Sequence, residues 1–176
     1  MLRVGMVGLG KMGLSHHAIV NAHSGVNVVA ACDQTAYLTD VLAKHAGLKC
    51  YDDYDRMLAG EALDAVVIAT PDHWHMPMAV AAMEAGKDVY CERPMALDAA
   101  QAKTFRDVAQ RTGRIVQIGV QETSEGQWHT AREHIHDGVR DRPPLRVAGA
   151  MSWCTDASVM SSVASIASPS GIPGGS

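Results

Sequence analysis

Aromatic side chains are scarce in this sequence: one Phe, three Trp and four Tyr among 176 residues. A core must therefore come from Val, Ile, Leu, Met and Ala. Positive charge is in short supply too. Lys and Arg number 15 against 19 Asp and Glu, a net charge of −4, which leaves no electrostatic footprint for nucleic acid or an anionic membrane. No apolar run is long enough to span a bilayer. The N-terminus lacks the basic region, apolar region and cleavage site of a secretory signal, because a strand-like run starts at Leu2. A cytoplasmic location is the resulting expectation. The four cysteines, Cys32, Cys50, Cys91 and Cys154, contain no C-x-x-C pair and no zinc-like spacing. Buried, reduced thiols are expected.

What is present is concentrated near the start. Val7-Gly8-Leu9-Gly10-Lys11-Met12-Gly13 follows an apolar run over 2–7. A lone G-x-G-x-x-G carries little weight, but three conditions coincide here. The run suits a strand buried on both faces. Met12, Leu14, Ala18 and Ile19 recur at roughly helical spacing after the glycines. Asp33 closes a second strand-like run, 20 positions beyond Gly13, where a ribose-binding carboxylate belongs. Each residue type has a physical role. Gly8 permits the tight turn, Gly10 lets backbone approach a diphosphate, and Gly13 lets helix and strand pack closely. Helix N–H groups and dipole favour the anion. Asp33 would accept ribose hydroxyls and repel a 2′-phosphate, and no Arg follows at Gln34 or Thr35. NAD is the expected cofactor, with NADP less favoured.

Strand and helix patterns then alternate to about residue 120. Strands are predicted at 2–7, 26–32, 48–51, 64–69, 87–91 and 114–119. Helices are predicted at 11–22, 36–46, 53–59, 75–85 and 97–112, with Asp52 or Asp53 as a cap and Gly47, Gly60, Gly86 and Gly113 at helix ends. Such alternation implies right-handed crossovers and an α/β, doubly wound parallel sheet, a Rossmann fold. Its ligands bind at the carboxyl ends of strands. Gly8–Gly13, Asp33, Thr70-Pro71 through His75, and Cys91 through Pro94 all fall at such ends. One more helix is expected over 127–137 and one more strand over 145–153. Residues 155–176 hold seven Ser, three Gly, two Pro and one charge, a composition for which disorder is expected.

Later motifs narrow the reading. Cys91-Glu92-Arg93-Pro94 resembles the E-K-P motif of the glucose–fructose oxidoreductase and inositol dehydrogenase (Gfo/Idh/MocA-like) family. Ala69-Thr70-Pro71-Asp72-His73-Trp74-His75, the stretch from Ala81 to Tyr90, and Val116-Gln117-Ile118-Gly119-Val120-Gln121 are similar to that family's segments in the same order. The resemblance covers roughly residues 2–153. It implies an oxidoreductase with an N-terminal Rossmann domain and a C-terminal α/β domain that supplies substrate pocket and dimer interface. It also implies hydride transfer between the nicotinamide and a sugar, polyol or related hydroxy compound. Cofactor contacts implied are Gly8, Leu9, Gly10, Lys11, Met12, Gly13, Asp33, Thr70, Pro71, His75, Glu92, Arg93 and Pro94.

Two departures qualify the carry-over. Arg93 replaces the family's catalytic lysine, and Arg cannot act as a general base. The C-terminal α/β domain, with its acid/base residues, has no counterpart. Residues 1–120 thus read as the dinucleotide-binding domain, 121–154 as the incomplete start of a second domain, and 155–176 as a tail.

Other constellations carry less. His73 and His75 have no third ligand nearby, so no metal site is expected. His129, His134 and His136 do not share a helix face. His16 and His17 are assigned no catalytic role. Three readings stay open: a nicotinamide-dependent oxidoreductase acting on a sugar or polyol, a dinucleotide-binding module without turnover, and a fragment whose uncovered face drives homo-oligomerisation.

Overall fold

Six strands, all parallel, form one sheet in the order β3-β2-β1-β4-β5-β6. The computed structural model describes residues 1–120 and 126–136. The strands are β1 (Leu2–Val7), β2 (Val26–Cys32), β3 (Lys49–Tyr51), β4 (Ala65–Ile68), β5 (Asp88–Glu92) and β6 (Val116–Gly119). Between them run α1 (Lys11–Asn21), α2 (Ala36–Ala46), α3 (Tyr54–Gly60), α4 (Asp72–Glu84) and α5 (Ala99–Thr112); α6 (Gly126–His136) follows. This strand order is that of a Rossmann dinucleotide fold. Every predicted strand and helix within the described residues is present. The expected strand at 145–153 and the 155–176 segment lie outside them.

Alternation along each strand sorts the core into two layers. Val4, Met6, Val28, Ala65, Val67 and Tyr90 pack with Val20 of α1 and with Leu38 and Leu42 of α2. Val7, Ala30, Cys32, Val66, Ile68, Val89 and Cys91 face the other way, against Met57, Ala79, Met83, Phe105 and Val108. One irregularity breaks the period. Val4 pairs with Val28 but Gly5 pairs with Ala30. Val29 is the extra residue of this bulge, and beyond it the two faces of β2 exchange.

Local chemistry explains the helix ends. Asp53 accepts the Arg56 N–H at 2.8 Å at the start of α3, and Asp98 accepts the Gln101 N–H at 2.8 Å at the start of α5. Gly47 and Gly113 end α2 and α5 in the left-handed conformation, which costs glycine little.

Two expectations need correction. Helix α4 begins at Asp72, not at residue 75, because Pro71 (φ −58°) is already set for helix entry. His73, Trp74 and His75 are therefore first-turn helix residues rather than loop residues. On α1 the buried residues are Gly13, His16 and Val20. Leu14 is exposed, so the apolar spacing that predicted the helix misidentified its inner face.

Candidate functional site

The carboxyl ends of β1, β2, β4 and β5 open onto two adjoining cavities. The larger, about 860 Å³, runs from Asp33 past the glycine turn to Thr70, Pro71 and Trp74. The smaller, about 250 Å³, is lined by Met12, Thr70, Asp72, His75, Glu92 and Arg93. Met12, Ala69 and Thr70 border both. Of the residues singled out in the sequence, Gly8, Gly10, Lys11, Met12, Asp33, Thr70, Pro71, His75, Glu92 and Arg93 line these cavities, across the point where chain order reverses between β1 and β4, whereas Leu9, Gly13 and Pro94 line neither.

The three glycines of the turn are constrained differently. Gly8 has φ +84°, and a Cβ there would meet the backbone of Ala69 and Thr70. A Cβ on Gly13 would run into the carbonyl oxygen of Gly8. Both positions are glycine for the protein's own packing. Gly10 is not: its φ is −66°, and no protein atom stands within 4 Å of a Cβ built there. Gly10 is also the N-cap of α1, and no side chain caps that helix start. Space is thus kept where first-turn amides and the helix dipole favour an anion.

Asp33 does more than the sequence suggested. Its Oδ2 accepts the Leu9 N–H at 2.6 Å and its Oδ1 accepts the Thr35 N–H at 2.8 Å. It ties the glycine turn to the end of β2. A carboxylate has about four acceptor sites, so acceptor capacity remains toward the cavity. Asp52 and Asp53 line the same end. Their field is felt inside the sheet: the Cys32 thiol is pushed up to about 11, first by burial and then by Asp33, Asp53 and Asp52. Burial likewise raises the Cys91 thiol to about 12. Neither cysteine is poised as a nucleophile.

At the other end, Glu92 is 7% exposed although ionisable. Its Oε1 lies 2.6 Å from Nε2 of His16, and its Oε2 accepts the Arg93 N–H at 3.2 Å. His16 also meets the Tyr90 ring edge to face, with centroids 5.2 Å apart. Arg93 and Pro94 are exposed on the turn that follows, and their peptide bond is cis. His75 is 1% exposed. Its Nδ1 sits 2.7 Å from the Pro94 carbonyl oxygen and its Nε2 2.8 Å from that of Thr70. It joins the ends of β4 and β5 beneath the smaller cavity. The Thr70 hydroxyl oxygen is buried and has no hydrogen-bond partner among the described residues. The sequence assigns His16 no catalytic role; its spacing from Gly13 and Val20, on one helix face, is the signal that it points inward.

Among the described residues no cluster of His, Cys, Asp or Glu could hold a metal ion, and no helix is long and apolar enough to cross a membrane. Comparison with known proteins agrees with this geometry. The sequence model of an oxidoreductase family with an NAD-binding Rossmann fold matches residues 2–120. The inositol 2-dehydrogenase of Salmonella typhimurium (strain LT2) is 35% identical over 152 residues, which cover 84% of this chain and 45% of that protein. The chain thus spans under half the length of such relatives. The crystal structure of myo-inositol 2-dehydrogenase from Lactobacillus plantarum superposes with a TM-score of 0.70 at 29% identity, covering 80% of this chain and 42% of that one. The scyllo-inositol dehydrogenase of Lactobacillus casei with bound NAD(H) and scyllo-inositol gives 0.71 at 25% identity, covering 79% and 42%.

Proposed function

The chain belongs to the Gfo/Idh/MocA oxidoreductase family with its NAD-binding Rossmann fold, and from that premise we propose that the two cavities hold one NAD molecule, extended across the switch point. The observation that carries this is Gly10, a cradle position that a Cβ would fill and that no protein atom needs. Gly8 to Gly13 would hold the diphosphate on the α1 amides. Asp33 would take the adenosine ribose. Thr70 and Pro71 would line the passage between the cavities, with His75 supporting them from below. Glu92, Arg93 and Pro94 would border the nicotinamide end, where the bound cofactor supplies hydride acceptance.

Two features support NAD over NADP. Asp33 would meet the adenosine ribose and repel a 2′-phosphate there, and Asp52 and Asp53 line the same end of the cavity and add negative charge. Isothermal calorimetry tests the assignment. NAD should bind, NADP should bind at least about tenfold more weakly, and Asp33→Ala should weaken NAD. Undiminished NAD binding by that variant would remove the ribose role.

For the whole protein we propose hydride transfer to or from a sugar, polyol or related hydroxy compound in the cytoplasm; the relatives are named for inositol, a polyol. A second reading, dinucleotide binding without turnover, rests on Arg93. A guanidinium stays charged and can orient a hydroxyl but cannot accept its proton. NADH formation over a panel of inositols and sugars separates the two. Turnover by the unaltered protein sinks the second reading, whereas activity gained only with Arg93→Lys supports it.

A further inference from the structure

The His16–Glu92 pair is unusual in its cost. Burying an ionisable carboxylate is unfavourable unless it is paired, and an aliphatic pair of similar volume would commonly serve stability as well or better. Both side chains are nonetheless buried, at 2% and 7% exposure. The neighbourhood is shaped around them. A Cβ on Gly119 would come within 2.9 Å of Glu92 Oε1 and 2.8 Å of the Tyr90 hydroxyl, so β6 leaves room for the carboxylate to reach His16. A carboxylate only accepts, so Nε2 of His16 donates. The remaining oxygen of Glu92 holds the Arg93 backbone N–H. One continuous chain of contacts therefore runs from α1, whose N-terminus would face the diphosphate, to the turn that borders the smaller cavity. No residue in it uses the larger cavity.

We propose that His16 is a positioning residue for the nicotinamide end: by holding Glu92 it fixes the Glu92-Arg93-Pro94 turn relative to the helix that carries the diphosphate. This rests on the dinucleotide reading above. It also yields a separation that a merely structural role would not. Loss of His16 should loosen only the smaller cavity and leave the adenosine end intact.

The test compares NADH with ADP-ribose, which lacks the nicotinamide ring, on the full chain. Affinities come from calorimetry, and the fluorescence emission of bound NADH reports the surroundings of the reduced ring. His16→Ala should weaken NADH about tenfold and return its emission toward that of free NADH, with ADP-ribose changed less than about twofold. His16→Gln, which can still donate to Glu92, should restore much of the NADH affinity. Glu92→Gln, which keeps shape but loses charge, should show the same selective loss and serves if His16→Ala fails to fold. Equal weakening of both ligands, or no weakening of either, in folded variants overturns the proposal. An unaltered protein that binds neither ligand instead removes the dinucleotide reading, and the positioning role falls with it.

Discussion

At the residue scale, the three glycines of one motif make three different predictions. Gly10→Ala should fold with nearly unchanged thermal stability, since its φ suits alanine and no neighbour is near, yet calorimetry should find NAD binding largely lost. Gly13→Ala should cost about 3 kcal/mol or more, because the clash is with backbone that cannot step aside. Denaturant unfolding distinguishes the two. The motif itself assigned Gly8 and Gly13 to the protein's own turn and packing and Gly10 to a ligand, and the backbone clashes at the first two and the open space at Gly10 agree with that division. Asp33 was legible as a terminal carboxylate, while its bond to the Leu9 N–H was not. That bond joins residues 24 apart in sequence, and no local pattern encodes it. Asp33→Ala should therefore combine loss of the proposed ribose contact with an orphaned Leu9 amide, the latter a stability cost of about 1–3 kcal/mol. His16 was legible as a helix residue without a catalytic role, while its pairing with Glu92, 76 positions away, was not, for the same reason.

At the element scale, two helix caps of similar chemistry should separate stability from ligand choice. Asp98→Ala removes the cap of α5 and should cost about 1 kcal/mol with no change in dinucleotide binding. Asp53→Ala removes the cap of α3 at similar cost, and it also thins the negative field beside Asp33. Its NADP affinity relative to NAD should rise by severalfold in paired titrations. Elements themselves were well marked by apolar period and glycine stops, and most ends fell within three residues of their predicted places. The start of α4 was misjudged because Pro71 reads equally as a break or as an entry residue. The inner face of α1 was misjudged because its closest approach to the sheet uses Gly13, which has no hydropathy to detect.

At the scale of the whole molecule, the buried thiols set an alkaline limit. Cys32 and Cys91 are raised from 9.0 to about 11 and about 12. In the unfolded chain each ionises near its ordinary value, whereas the fold keeps it protonated. Their contribution is full below about pH 9 and is lost as pH rises from there through the folded values. Thermal melts from pH 8 to 10.5 should show a falling midpoint, and Cys91→Ala should flatten that fall while lowering stability at pH 8. The parallel order of the sheet gathers every strand's carboxyl end at one rim, which is why motifs scattered over ninety residues of sequence converge on two cavities.

The Thr70 hydroxyl, buried and without a hydrogen-bond partner among the described residues, belongs to a residue that lines both cavities, and it has an energetic corollary. A polar atom left unsatisfied in the interior is a standing penalty, and an apolar side chain of the same shape can relieve it. Thr70→Val should therefore melt at the same temperature as the parent or above it in plain buffer. Saturating NAD adds stability in proportion to the logarithm of its concentration over Kd, and the parent should gain more where binding uncovers the hydroxyl and pairs it. The rank order of the two proteins in a thermal-shift titration should then invert. Such a crossing would mark Thr70 as a position where the resting protein forgoes stability in order to recognise its ligand.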